Sequence, residues 1–133
     1  MTRTLAIVVF LALAGTVSAQ EAVVPSCELI ENESVTLRGQ IVNITFAGPP
    51  NYESIKNGDA AETVPVLILQ QSVCKMYEFH VWHLQMFHLI GDSDEIAAHV
   101  GQNVVVTGTH FWAETGHHHT AVMLDVSNIE IEE

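Results

Sequence analysis

Apolar runs separated by short polar breaks dominate the chain, at a spacing that predicts strands more than helices. Val35-Thr36-Leu37-Arg38-Gly39-Gln40-Ile41 alternates apolar and polar side chains, the pattern of a half-buried strand. Ile44 and Phe46 extend it past Gly39, and a glycine inside a strand predicts a bulge or bend. Val64-Pro65-Val66-Leu67-Ile68-Leu69 is apolar enough to predict a central second strand, with Pro65 tolerated at its start. A break from Ser72 to Lys75 separates it from a third strand, Tyr77 to Leu89, with Trp82, Leu84 and Met86 on one face and His83 and Gln85 on the other. Val104 to Phe111 predicts a fourth strand. Thr120 to Val126 predicts a fifth, continuing through Ile129 and Ile131.

One segment reads as a helix. Asp92 is a natural N-cap, Glu95 completes a capping box, and Asp94 and Glu95 suit the positive end of the helix dipole. Ile96 and Val100 stack one turn apart, and Gly101 suits the position just past the end. The predicted order is therefore mainly β: a small five-stranded OB-like barrel with one short helix between strands three and four. A β-sandwich is the rival, but it usually wants about seven strands. Residues 35–133 would form this single domain, after a lead over residues 20–34.

Residues 1–19 read as a secretory signal peptide. Arg3 supplies the charged start, Leu5 to Ala14 the short apolar core, and Val17-Ser18-Ala19 the small-residue cleavage site. The apolar run breaks at Gly15 and Thr16, short of the ~20 residues a membrane span needs. The predicted location is exported, periplasmic or secreted, with no membrane span after cleavage. Cys27 and Cys74 are the two cysteines, and an even count in an exported chain predicts a disulfide. No C-x-x-C occurs, which argues against a Cys/His metal site built on them.

The formal net charge is −12, with 4 basic and 16 acidic residues. Isolated Arg38, Lys56 and Lys75 do not form the basic cluster that phosphate binding requires, so nucleic acid is excluded as a partner.

Two loops stand out. Gly48-Pro49-Pro50-Asn51-Tyr52-Glu53-Ser54-Ile55 joins predicted strands one and two, and Thr115-Gly116-His117-His118-His119-Thr120 joins four and five. In an OB barrel these loops reach one end and flank the usual ligand face. Asn51, Tyr52, Glu53, Ser54, Thr115 and Thr120 are the candidate ligand-binding residues. With Ala113 to Gly116 as the hairpin loop, His110 would lie opposite His119, and His110, His117 and His119 would share a face able to hold Zn²⁺ or Cu²⁺. The alternative is that these histidines only structure the loop. His80, His83, His88 and His99 read as ordinary strand and helix residues.

Together, Leu37-Arg38-Gly39, the GPPNYESI loop with Gly58-Asp59, and the TGHHHT loop resemble a bacterial domain family of unknown function found in small exported proteins. The resemblance spans most of the chain after residue 19. It implies domain identity and export, and carries no assigned activity. The reading is a non-enzymatic binding domain for a small ligand, a metal ion or an envelope protein. A metal-dependent hydrolase with Glu53 or Glu114 as base, and a purely structural envelope module, are the alternatives.

Overall fold

The computed structural model describes residues 27–133. The proposed signal peptide lies outside them. Six strands form one sheet: β1 (Glu28–Leu29), β2 (Ser34–Ala47), β3 (Ala61–Tyr77), β4 (His80–Ile90), β5 (Asn103–Trp112) and β6 (Val122–Ile131). Their order is β1-β3-β2-β5-β6-β4, and β3 also pairs with β4. This corrects the expected five-stranded OB-like barrel. The sheet has six strands, and the helix α1 (Ser93–Ala98) lies between β4 and β5, not between strands three and four.

The extra strand comes from the lead. Glu28 and Leu29 pair in parallel with Val73 and Cys74, and Ile30 is buried in the core. The Cys27–Cys74 disulfide fixes this pairing, with Cα atoms 5.6 Å apart and a separation of 47 positions in sequence. The other difference is β3, which runs through the predicted break at Ser72 to Lys75. Its pairing with β4 shifts register between Ile68 and Val73, after which Val73, Cys74 and Lys75 pair regularly with Leu84, His83 and Trp82.

β2 serves two partners. Ser34 to Gln40 pair with β5, and Gly39 to Ala47 pair with β3. Gly39 is matched with Leu69 on one side and Val104 on the other. A Cβ there would overlap the Ile68 carbonyl oxygen, so the close approach of β2 and β3 requires glycine. The alternating side chains of β2 then turn Leu37 and Ile41 inward, where they meet Leu67, Phe87, Leu89, Val104, Val106 and Leu124 in one cluster. Asp92 caps α1 by accepting from the backbone N–H groups of Asp94 and Glu95, both at 3.0 Å, and Ile96 turns into the core. No helix among the described residues is long and apolar enough to cross a membrane.

Gly39→Ala should destabilise the fold by about 1–3 kcal/mol, the usual range for inserting a methyl into a packed site. Urea unfolding followed by circular dichroism reads this directly. A change within error of zero would mean that β2 and β3 can part at no cost.

Candidate functional site

The Pro-Pro loop is shaped by one carboxylate. Buried Asp59 receives the backbone N–H groups of Asn51 (3.0 Å), Glu53 (2.9 Å) and Ser54 (2.8 Å), together with the Asn51 side-chain amide (3.2 Å). These donors favour the ionised acid, and they hold its pKa below the ordinary value, the Ser54 N–H contributing most. Backbone bonds from Gly48 to Ala60 and from Ala60 to Pro49 close the neck of the loop at 2.7 and 2.8 Å. The Pro49–Pro50 bond is cis.

Folding around Asp59 places Tyr52 at φ 59°, a left-handed conformation that costs a non-glycine residue free energy. Its N–H donates to the Gly48 carbonyl at 2.9 Å. Its ring lies over Gly116 in the His-rich loop, where a Cβ would come within 2.8 Å of the ring. Gly48 has the same role across the other contact: a Cβ there would come within 2.7 Å of the Glu62 side chain. A glycine in each loop phrase thus makes room for a side chain that reaches in from outside the loop.

Glu62, near the start of β3, joins the two loops. The His117 Nδ1–H donates to its Oε1 at 2.7 Å, and the His119 Nε2–H donates to its Oε2 at 2.6 Å. The His119 bond, followed by burial acting the other way, dominates a net lowering of the Glu62 pKa. An ionised carboxylate on Nδ1 requires the proton of neutral His117 to sit there, which leaves Nε2 to accept from the Tyr52 hydroxyl at 3.2 Å. The Tyr52 and His117 rings meet edge-on at 5.5 Å, and His119 stacks on Phe46 at 4.8 Å with the rings 2° from parallel. The His119 side chain is 6% exposed and that of His117 63%, so the clasp has a buried and an open side.

Beneath it lies His88, buried in β4. Its Nδ1 accepts the His119 backbone N–H at 3.3 Å, and its own N–H donates to the Thr120 hydroxyl at 2.7 Å, which donates on to the Val122 carbonyl at 2.7 Å. Burial, with smaller contributions from His119 and His118, pushes the His88 pKa down to about 4.

The expected histidine trio does not assemble. His110 pairs with Leu124, and Trp112 with Val122, so the hairpin loop is longer than predicted and His117 to His119 lie within it. Apolar Val122, Met123 and Leu124 take the paired positions because their side chains fill the core. His110 is buried elsewhere: its Nε2–H donates to the Asn32 carbonyl at 2.7 Å, and its Nδ1 accepts from the Lys75 ammonium at 2.8 Å. Of the other candidates, Tyr52 belongs to the clasp. Asn51, Glu53 and Ser54 give backbone groups to Asp59. Thr115 accepts the His118 N–H at 3.1 Å through its carbonyl, and Thr120 is a buried support. Glu62 and the buried role of His88 were not foreseen, and neither has a signal in its neighbouring residues.

A second donor group lies on β3 and β4. Cys27 Sγ, Cys74 Sγ and a His83 ring nitrogen all fall within 4.8 Å of one another, a Cys₂His set whose atoms can hold a metal ion. Among the described residues it is the one group of three such donors at that spacing. The two sulfurs are bonded to each other, and a disulfide lacks the thiolates that ligate metal. Metal capacity here therefore belongs to the reduced pair. A concavity of about 650 Å³ beside Ile30, Leu37, Arg38 and Gln70 holds none of the clasp residues.

Residues 86–130 match the family model of a domain of unknown function, DUF4431. The DUF4431 segment runs from within β4 to within β6. It includes His88 and the whole His-rich loop, while Asp59, Glu62 and the Pro-Pro loop lie before it. No curated protein and no solved structure matches the chain.

His88 sets a pH dependence. Its folded pKa of about 4 lies below the ordinary 6.5, so the unfolded chain binds the proton more readily between these values. Its contribution to stability is full above about pH 6.5 and shrinks as pH falls toward 4. Urea midpoints measured across this window should decline for the wild type and decline less for His88→Gln. Identical slopes would show that His88 is not held neutral.

Proposed function

We propose that the protein is an exported, non-enzymatic binding domain, and that the Tyr52–Glu62–His117–His119 clasp takes a divalent transition-metal ion such as Zn²⁺ or Cu²⁺. The observation that carries this reading is the convergence of two imidazoles from one loop on a single carboxylate of β3. Two imidazole nitrogens and a carboxylate suit both ions. For Nδ1 of His117 and Nε2 of His119 to become ligands, the protons now directed at Glu62 would move to the other nitrogen of each ring.

The clasp is ordered before any ligand arrives. Asp59 fixes one loop, His88 and Thr120 support the other, and Tyr52 bridges them. His117 supplies the open side through which an ion enters. The three donors do not all lie within 4.8 Å of one another, so binding an ion would draw them together. Export is supported by the signal-like N-terminus and by the disulfide, a bond that persists in oxidising compartments.

Calorimetric titration of the disulfide-bonded protein with Zn²⁺ and with Cu²⁺ should give one equivalent bound at neutral pH. Affinity should fall in acid, because ligating imidazoles must be neutral. Replacing His117 and His119 together by alanine should abolish binding, and His110→Ala should leave it unchanged. No stoichiometric binding of either ion would reduce the clasp to a structural joint between the loops.

A further inference from the structure

We propose that reduction of the Cys27–Cys74 disulfide converts it, with His83, into a Cys₂His site for a thiophilic divalent cation of the Zn²⁺ class. The proposal stands apart from the Tyr52–Glu62 clasp and uses none of its residues. Three neighbouring strands build the site. Cys74 lies in β3 directly opposite His83 in β4, and Cys27 immediately precedes β1 on the other side of β3.

The geometry is close to that of a bound ion. With Zn–S about 2.3 Å and Zn–N about 2.0–2.1 Å, a tetrahedral ion separates a sulfur and a nitrogen ligand by about 3.5–3.6 Å. Cys74 Sγ and His83 Nδ1 stand 3.6 Å apart. That contact is the one side-chain hydrogen bond of the His83 ring among the described residues, so no carboxylate or carbonyl competes for Nδ1. Parting of the two sulfurs from bonding distance is the movement still needed. His83 is exposed, which leaves a fourth position to water.

The chemistry balances with a dithiol as reductant. One thiolate of the dithiol attacks Cys27 Sγ, the more accessible sulfur, and the S–S bond breaks with its electron pair leaving on Cys74. Cys74 leaves beside His83 Nδ1–H, which is placed to stabilise the departing thiolate. The second thiolate of the reductant then resolves the mixed disulfide, releasing Cys27 and a reductant disulfide. The protein has gained two electrons and two protons. An arriving Zn²⁺ displaces those two protons and binds both thiolates and His83 Nδ1, whose own proton moves to Nε2 so that the imidazole stays neutral.

Co²⁺ is the probe, because thiolate ligation gives it an intense near-ultraviolet charge-transfer band that imidazole and carboxylate do not. The full chain is reduced with excess dithiol, freed of reductant without oxygen, and titrated beside the oxidised protein. The reduced protein should take up one equivalent with the thiolate band, and the oxidised protein should show none. His83→Ala keeps both cysteines and should weaken the reduced form's affinity by about tenfold or more. A variant with His117 and His119 both replaced by alanine should keep the band, which separates this site from the clasp. If the reduced chain loses structure, Zn²⁺ should restore its far-ultraviolet circular dichroism. Absence of the thiolate band in reduced protein, folded or not, overturns the proposal, as does His83→Ala binding with wild-type affinity.

Discussion

The loop end of this protein depends on a buried carboxylate surrounded by N–H groups. Asp59 gathers four donors from Asn51, Glu53 and Ser54, and only a chain folded tightly around it can supply them. That fold sets the left-handed Tyr52 backbone, which would otherwise relax. Tyr52 in turn reaches over Gly116 to His117, and Glu62 holds His117 and His119 at once. The chain of causes runs from one ionised acid, through a strained backbone, to a shared surface between loops more than fifty residues apart in sequence.

Below the loops, the sheet and the histidines constrain each other. Val122 to Leu124 occupy the core-facing end of β6, and this keeps His117 to His119 in the loop. His88 accepts the His119 N–H only while it is neutral, and burial keeps it neutral. The disulfide acts at a separate place. It ties the residue before β1 to β3 and presents His83 to a sulfur that can, on reduction, become a ligand.

What the sequence made legible was local. The helix around Ile96 carries its own cap and stop, so its residues could be read without tertiary information. The glycine in β2 announced a bend because no side chain fits beside the Ile68 carbonyl. The two loop phrases were conspicuous because paired prolines cannot continue a central strand and three successive histidines interrupt an apolar chain. Non-local facts were hidden. The segment from Ser72 to Lys75 looked like a break, yet Val73 and Cys74 are buried and paired with β4, and the register shift just ahead of them has no composition of its own. The hairpin register of the histidines depended on which apolar residues win the core, and a count of loop residues could not decide that. Glu62 became a site residue through histidines of a distant loop, and His83 through Cys74 on the neighbouring strand.

The central claim is that the two loops form one unit through Glu62. Amide hydrogen exchange in the wild type and in Glu62→Ala tests it most directly. The reporters are the hydrogen-bonded amides of Asn51, Tyr52, Glu53 and Ser54 in one loop and of His118 and His119 in the other. If Glu62 couples the loops, both sets exchange faster in the variant while the amides of β5 and β6 keep their protection. Unchanged exchange in either loop would contradict the account.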